Sequence, residues 1–125
     1  MEQLYKQLSD QIVASAMEVH RYLGHGFLER VYGKALAYEL EVRKIGFERE
    51  VLLPVNYKGQ PIGKYKADFV VSKQIILELK AVSYLSAAHV GQAEHYLVAT
   101  GLRLAILLNF GSPSLEQVRV AHSSR

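Results

Sequence analysis

Seven consecutive residues, Ile75-Ile76-Leu77-Glu78-Leu79-Lys80-Ala81, constrain this chain more than any other stretch. Side chains alternate across a strand, so Ile75, Leu77, Leu79 and Ala81 form one face, and Ile76, Glu78 and Lys80 form the other. A run that is apolar on both sides belongs inside a sheet covered on both faces. There an unpaired charge costs several kcal/mol, so the carboxylate and the ammonium need partners, a cavity or a metal ion.

The preceding run, Ala67-Asp68-Phe69-Val70-Val71, offers a second carboxylate. Whether Asp68 meets Glu78 depends on the connecting loop. A two-residue turn at Ser72-Lys73 pairs 71 with 74 and sets Asp68 opposite Leu77, on the wrong face. A three-residue loop, Ser72-Lys73-Gln74, pairs 71 with 75 and hence Asp68 with Glu78, side by side at about 5 Å between Cβ atoms. Two anions that close require a cation between them, and all-oxygen donors favour Mg²⁺ or Mn²⁺ over Zn²⁺. A second reading has Lys80 bridging Asp68 and Glu78 in a salt-bridge triad that only holds the strands in register.

Around this hairpin the periodicity predicts a helix from Ser9 through Leu23, capped by Ser9 or Asp10, with Ile12, Val13, Ala16, Met17 and Val19 recurring at helical steps. Gly24-His25-Gly26 breaks it. A second helix carries Leu28, Val31, Tyr32, Ala35, Leu36 and Leu40 and runs to Lys44, with Gly46 as its cap. Three strands follow, over 49–58, 62–71 and 75–82. A third helix over 87–100 is capped by Ser86 and ended by Gly101. The run LRLAILLNF forms an interior strand, and a last strand covers 117–121. The order α-α-β-β-β-α-β gives an α/β domain, a mixed β-sheet flanked by helices in two or three layers. One domain, 1–125, is expected of 125 residues that are 50% hydrophobic.

Several functions are excluded or disfavoured. With no cysteine there is no disulfide framework, thiolate zinc site or cysteine nucleophile. The five histidines, His20, His25, His89, His95 and His122, are not spaced three or four apart on a helix and form no HExxH, which disfavours a histidine zinc site. No GxSxG or GxxxxGK occurs, which disfavours a serine nucleophile and a phosphate loop. The longest apolar run, Leu104 to Leu108, is too short to span a membrane, and MEQLYKQLSDQ lacks a signal-peptide layout, so the default compartment is cytoplasmic. A net charge of +3 suits a polyanionic partner without demanding one. Lys58, Lys64 and Lys66 near the hairpin, with Arg43 and Lys44, would serve either as phosphate contacts or as an ordinary solvated surface.

Asp68, nine residues, then Glu78-Leu79-Lys80, within this order of elements, resembles the PD-(D/E)XK phosphodiesterase superfamily. Gly26-Phe27-Leu28-Glu29-Arg30-Val31-Tyr32 further resembles the signature of the GxxExxY family, a small-domain branch of that superfamily. So do Glu18-Val19-His20, Ala35 to Leu40, Tyr65 to Asp68, and Gln92 to Tyr96; the resemblance runs from about Ile12 to Phe110. It implies a restriction-endonuclease-like fold and a Mg²⁺-dependent (or Mn²⁺-dependent) nuclease acting on DNA ahead of RNA. A domain this small covers little nucleic acid by itself, so cleavage of duplex would be easier from a two-fold homodimer that presents two sites to antiparallel strands. Asp68 and Glu78 would hold the metal with the backbone carbonyl of Leu79, and Lys80 would orient or acidify the attacking water. Glu29 would reach the metal directly or through water. Gln92 and Tyr96 match a QxxxY pair that supports the site or touches the nucleic-acid backbone. His25 stands where proline is expected, leaving the loop before Glu29 less rigid. On residue type alone, Glu29 is equally an acid placed to favour a helix N-terminus, and Tyr96 a tyrosine at the core edge. The alternative on the same fold is a non-catalytic nucleic-acid-binding or protein-interaction module.

Overall fold

A computed structural model describes residues 5–122. The elements run α1 (Lys6–Leu23), α2 (Glu29–Val42), β1 (Phe47–Tyr57), β2 (Gln60–Val71), β3 (Ile75–Lys80), α3 (Ala87–Thr100), β4 (Leu104–Asn109) and β5 (Glu116–Ala121). The strands form a single sheet in the order β1-β2-β3-β4-β5. All neighbours are antiparallel except β3 and β4, whose parallel pairing requires a crossover, and α3 supplies it.

Three layers result. Ile12, Ala16, Leu36 and Leu40 of α1 and α2 pack on Ile75, Leu77, Leu79 and Ile106. Ala93 and Leu97 of α3 pack on Ile76, Ala105 and Leu107 from the other side. β3 and β4 are therefore buried on both faces, as their unbroken apolar sequences demand. Each buried Leu or Ile contributes roughly 1.5–3 kcal/mol of transfer free energy.

Two helix boundaries differ from expectation. The first helix begins at Lys6, so Ser9 lies buried inside it, its hydroxyl donating back to the Lys6 carbonyl at 3.0 Å. Asp10 pairs with Lys6 one turn away instead of capping. At the end of α2 the left-handed residue is Lys44 (φ 61°), not Gly46. Lys44 N–H donates to Glu41 O and Ile45 N–H to Leu40 O, at 3.0 and 2.9 Å, a Schellman closure. Ile45 and Leu40 join the same core cluster, an apolar contact that favours this ending.

One irregularity positions the site. Phe69 and Val71 face α1 and α2, yet Tyr65 and Ala67, at the same alternation, face α3. On β1, Phe47 and Val51 change sides in the same way. Because Arg49 pairs with Phe69 and Val51 with Ala67, the switch falls at the facing residues Glu50, with φ of 51°, and Asp68.

Candidate active site

Left-handed Ser72 and Lys73, together with Gln74, make the three-residue loop, and the hairpin closes on Val71↔Ile75. The expected register is therefore present. Its ladder stops at Phe69↔Leu77. Beyond that pair, side chains replace backbone bonds: Asp68 N–H donates to Glu78 Oε2 at 3.2 Å, and Leu79 N–H donates to Asp68 Oδ2 at 2.8 Å. A residue's N–H and C=O leave a strand on the same side, so the Leu79 carbonyl also faces this split.

The carboxylates do not lie side by side on one face, as strict alternation required. The Asp68 side chain lines a cleft of about 430 Å³ on the α2 side, together with Glu29, Gly33, Arg49, Phe69 and Leu79. Glu78 is gripped from the α3 side, where the Tyr65 hydroxyl donates to its Oε2. Tyr65 stacks on Tyr96 of α3 with ring centroids 3.5 Å apart. Tyr96 thus reaches the carboxylate through Tyr65. Gln92, one turn earlier, is exposed.

Lys80 is half-buried, and among the described residues it makes no ion pair, so the salt-bridge triad does not form. Glu78, 8% exposed, already receives the Tyr65 hydroxyl and the Asp68 amide. Burial and then the Asp68 charge push the Glu78 carboxyl up to about 7, against the opposing pull of those two bonds and of Lys80. Burial also raises Asp68, although the Leu79 amide and Lys80 draw it down. Glu29 is raised by desolvation and then by Asp68, and lowered by Lys80. Tyr65 is raised by burial and by donating to Glu78, which keeps it a donor.

Glu29 opens α2, and its placement rests on the glycine loop before it. Tyr32, fully buried and stacked on Phe110, donates from its hydroxyl to Gly24 O at 2.6 Å and accepts from Phe27 N–H at 3.2 Å. This clamp fixes the loop without proline at position 25. Two histidines have structural partners: His20 Nε2 lies 3.0 Å from Ser112 O, and His89 closes the expected Ser86 cap.

Sequence reasoning missed Tyr65 and Arg49. Alternation counted along β2 sends Tyr65 to the face opposite Glu78; only the switch at Asp68 brings it round. Arg49 lay in a run read simply as a strand.

Among the described residues no three His, Asp or Glu side chains close into a metal cage. They form instead an open set of hard oxygen donors, Asp68, Glu78 and the Leu79 carbonyl, with Glu29 across the cleft. That set fits a cation such as Mg²⁺, which takes one or two protein carboxylates and fills its remaining positions with water and phosphate oxygens. The raised carboxyls of Glu29, Asp68 and Glu78 are groups whose ionised forms a cation would relieve.

Residues 6–120 match the model of the PD-(D/E)XK nuclease superfamily. The chain belongs to this superfamily. Its members generally use divalent metal ions. No curated protein matches the sequence. Among solved structures, SSO0001 superposes with a TM-score of 0.59 at 20% identity, over 77% of this chain and 50% of that one. The alkaline exonuclease LHK-Exo from Laribacter hongkongensis superposes with a TM-score of 0.55 at 10% identity, over 98% of this chain and 73% of the exonuclease. The chain thus spans half the length of SSO0001. The fold is the restriction-endonuclease-like mixed sheet. Among the described residues no helix is long and apolar enough to cross a membrane.

Proposed function

We propose that this chain is a Mg²⁺-dependent nuclease of the GxxExxY branch that hydrolyses phosphodiester bonds, in DNA ahead of RNA. The observation that carries the reading is the split between β2 and β3, where Asp68 and Glu78 exchange backbone hydrogen bonds with the opposite strand instead of continuing the ladder. A structural hairpin has no need to end its pairing on two coupled, desolvated carboxylates. The Gly26-Glu29-Tyr32 signature supports the branch, because its tyrosine clamps the loop that sets Glu29 at the cleft.

Asp68, Glu78 and the Leu79 carbonyl would hold the ion, with Glu29 reaching it from across the cleft. Bound there, the ion would polarise a phosphoryl oxygen and acidify a water. Tyr65, backed by Tyr96, orients Glu78 and satisfies one of its oxygens. Lys80 brings an ammonium beside the cluster, where it offsets negative charge developing on the phosphate and orients the attacking water. Gln92, exposed on α3, would contact the nucleic-acid backbone.

The test is Mn²⁺ binding by electron paramagnetic resonance on wild type, Asp68→Asn and Lys80→Ala, followed by cleavage assays on DNA and RNA. A saturable site that is lost in Asp68→Asn and kept in Lys80→Ala is expected, with cleavage lost in both variants. Unchanged nucleic-acid binding without cleavage by the wild type in Mg²⁺ or Mn²⁺ would instead identify a docking module.

A further inference from the structure

Arg49 is a cation that the proposed chemistry does not use. It projects from β1 into the same cleft as Asp68 and Glu29, next to the point where β1 and β2 change faces. Its guanidinium carbon sits 5.2 Å from the centroid of the Phe69 ring. Its Nη2 occupies the space beside α2 that Gly33 leaves open: a Cβ on residue 33 would come within 2.9 Å of it. Gly33 is buried in the middle of α2, where glycine costs about 1 kcal/mol relative to alanine. Although carboxylates share the cleft, no ion pair within 4.0 Å involves Arg49 among the described residues. An exposed arginine held by an aromatic ring and a glycine notch, with no side-chain hydrogen bond or ion pair to another described residue, is pre-ordered for an anion that presents two acceptor oxygens to its planar fork.

We propose that Arg49 is a phosphate-contacting residue that grips a backbone phosphate of the nucleic-acid strand beside the metal-binding carboxylates. This rests on the nuclease reading of the site. Guanidinium donors match phosphate oxygens two at a time, which a lysine cannot do. Arg30 and Lys66 line the same cleft, with Lys66 Nζ 3.8 Å from Glu50 Oε1, so Arg49 is the cleft arginine held in place by its neighbours and without an ion pair among the described residues.

The test is fluorescence anisotropy of labelled single-stranded and duplex oligonucleotides, titrated at several salt concentrations in EDTA so that no cleavage intervenes. It compares wild type with Arg49→Ala, Arg49→Lys and Gly33→Ala. Arg49→Ala is expected to weaken binding about tenfold and to lower the salt slope by about one unit. Arg49→Lys should keep the slope and lose part of the affinity. Gly33→Ala, which retains the charge but evicts the guanidinium from its notch, should weaken binding several-fold. Mn²⁺ affinity should be unchanged in all three. Wild-type binding with unaltered affinity and slope in Arg49→Ala overturns the assignment while leaving the nuclease reading intact. A wild type that binds no nucleic acid in EDTA overturns the Arg49 assignment, and one that also cleaves none in Mg²⁺ or Mn²⁺ overturns the nuclease reading as well. Loss of Mn²⁺ binding in Arg49→Ala would make the residue structural and also overturn the assignment.

Discussion

Glu78 makes a quantitative prediction, because its carboxyl rises from the ordinary 4.5 to about 7 in the fold. A raised acid pKa means that the native state binds the proton more tightly than the unfolded chain does. The resulting stability is fully present below 4.5 and is lost as the pH climbs through about 7. At 1.4 kcal/mol per pH unit, the metal-free protein should lose about 3 kcal/mol across that window. The mean environment of the group supports this size, since Glu78 is only 8% exposed and stands beside a second carboxylate. Urea unfolding in EDTA, from below 4.5 to above 7, would measure the slope for wild type and for Glu78→Gln. Glutamine keeps an oxygen for Tyr65 and the Asp68 amide but cannot ionise. The variant should match wild type in acid and exceed it by up to about 3 kcal/mol at the alkaline end. Adding Mg²⁺ there should restore wild type and leave the variant unmoved, by mass action on the native state. Parallel slopes for the two proteins, or a wild-type stability that rises through the window, would refute the reasoning.

Tyr65→Phe keeps the stack on Tyr96 and removes the hydroxyl that helps hold Glu78 ionised; Mn²⁺ affinity at neutral pH should fall several-fold, and the acidic limb of the activity profile should move to higher pH, as the loss of a hydrogen bond to a charged group implies. Tyr32→Phe leaves Gly24 O and Phe27 N–H without their partner and should cost about 1–3 kcal/mol in urea unfolding, with cleavage reduced through Glu29. Gly111→Ala drives a Cβ into the backbone of Ala81 and Val82, just past Lys80, so the thermal midpoint should drop by the equivalent of about 2 kcal/mol or more.

The sequence by itself determined the layers, the order of elements and the central pair of strands, because period and apolar content follow from which faces are buried. It named Asp68 as the carboxylate that could meet Glu78 but left two loop lengths open, and the structure chose between them by closing the hairpin on Val71↔Ile75. Only the tertiary structure decided how they meet. Pairing ends at Phe69↔Leu77, and both β1 and β2 change faces at Glu50 and Asp68, so Asp68 enters the α2 cleft while Tyr65 swings round to Glu78. Strict alternation cannot encode such a switch, which on β1 falls at Glu50, in a left-handed conformation, and on β2 at the facing Asp68. The notch at Gly33 and the clamp from Tyr32 to the Gly24 carbonyl belong to the same class. Each depends on where one helix lies against a strand or loop distant from it, and that is set by the packing of the whole core rather than by the spacing of neighbouring residues.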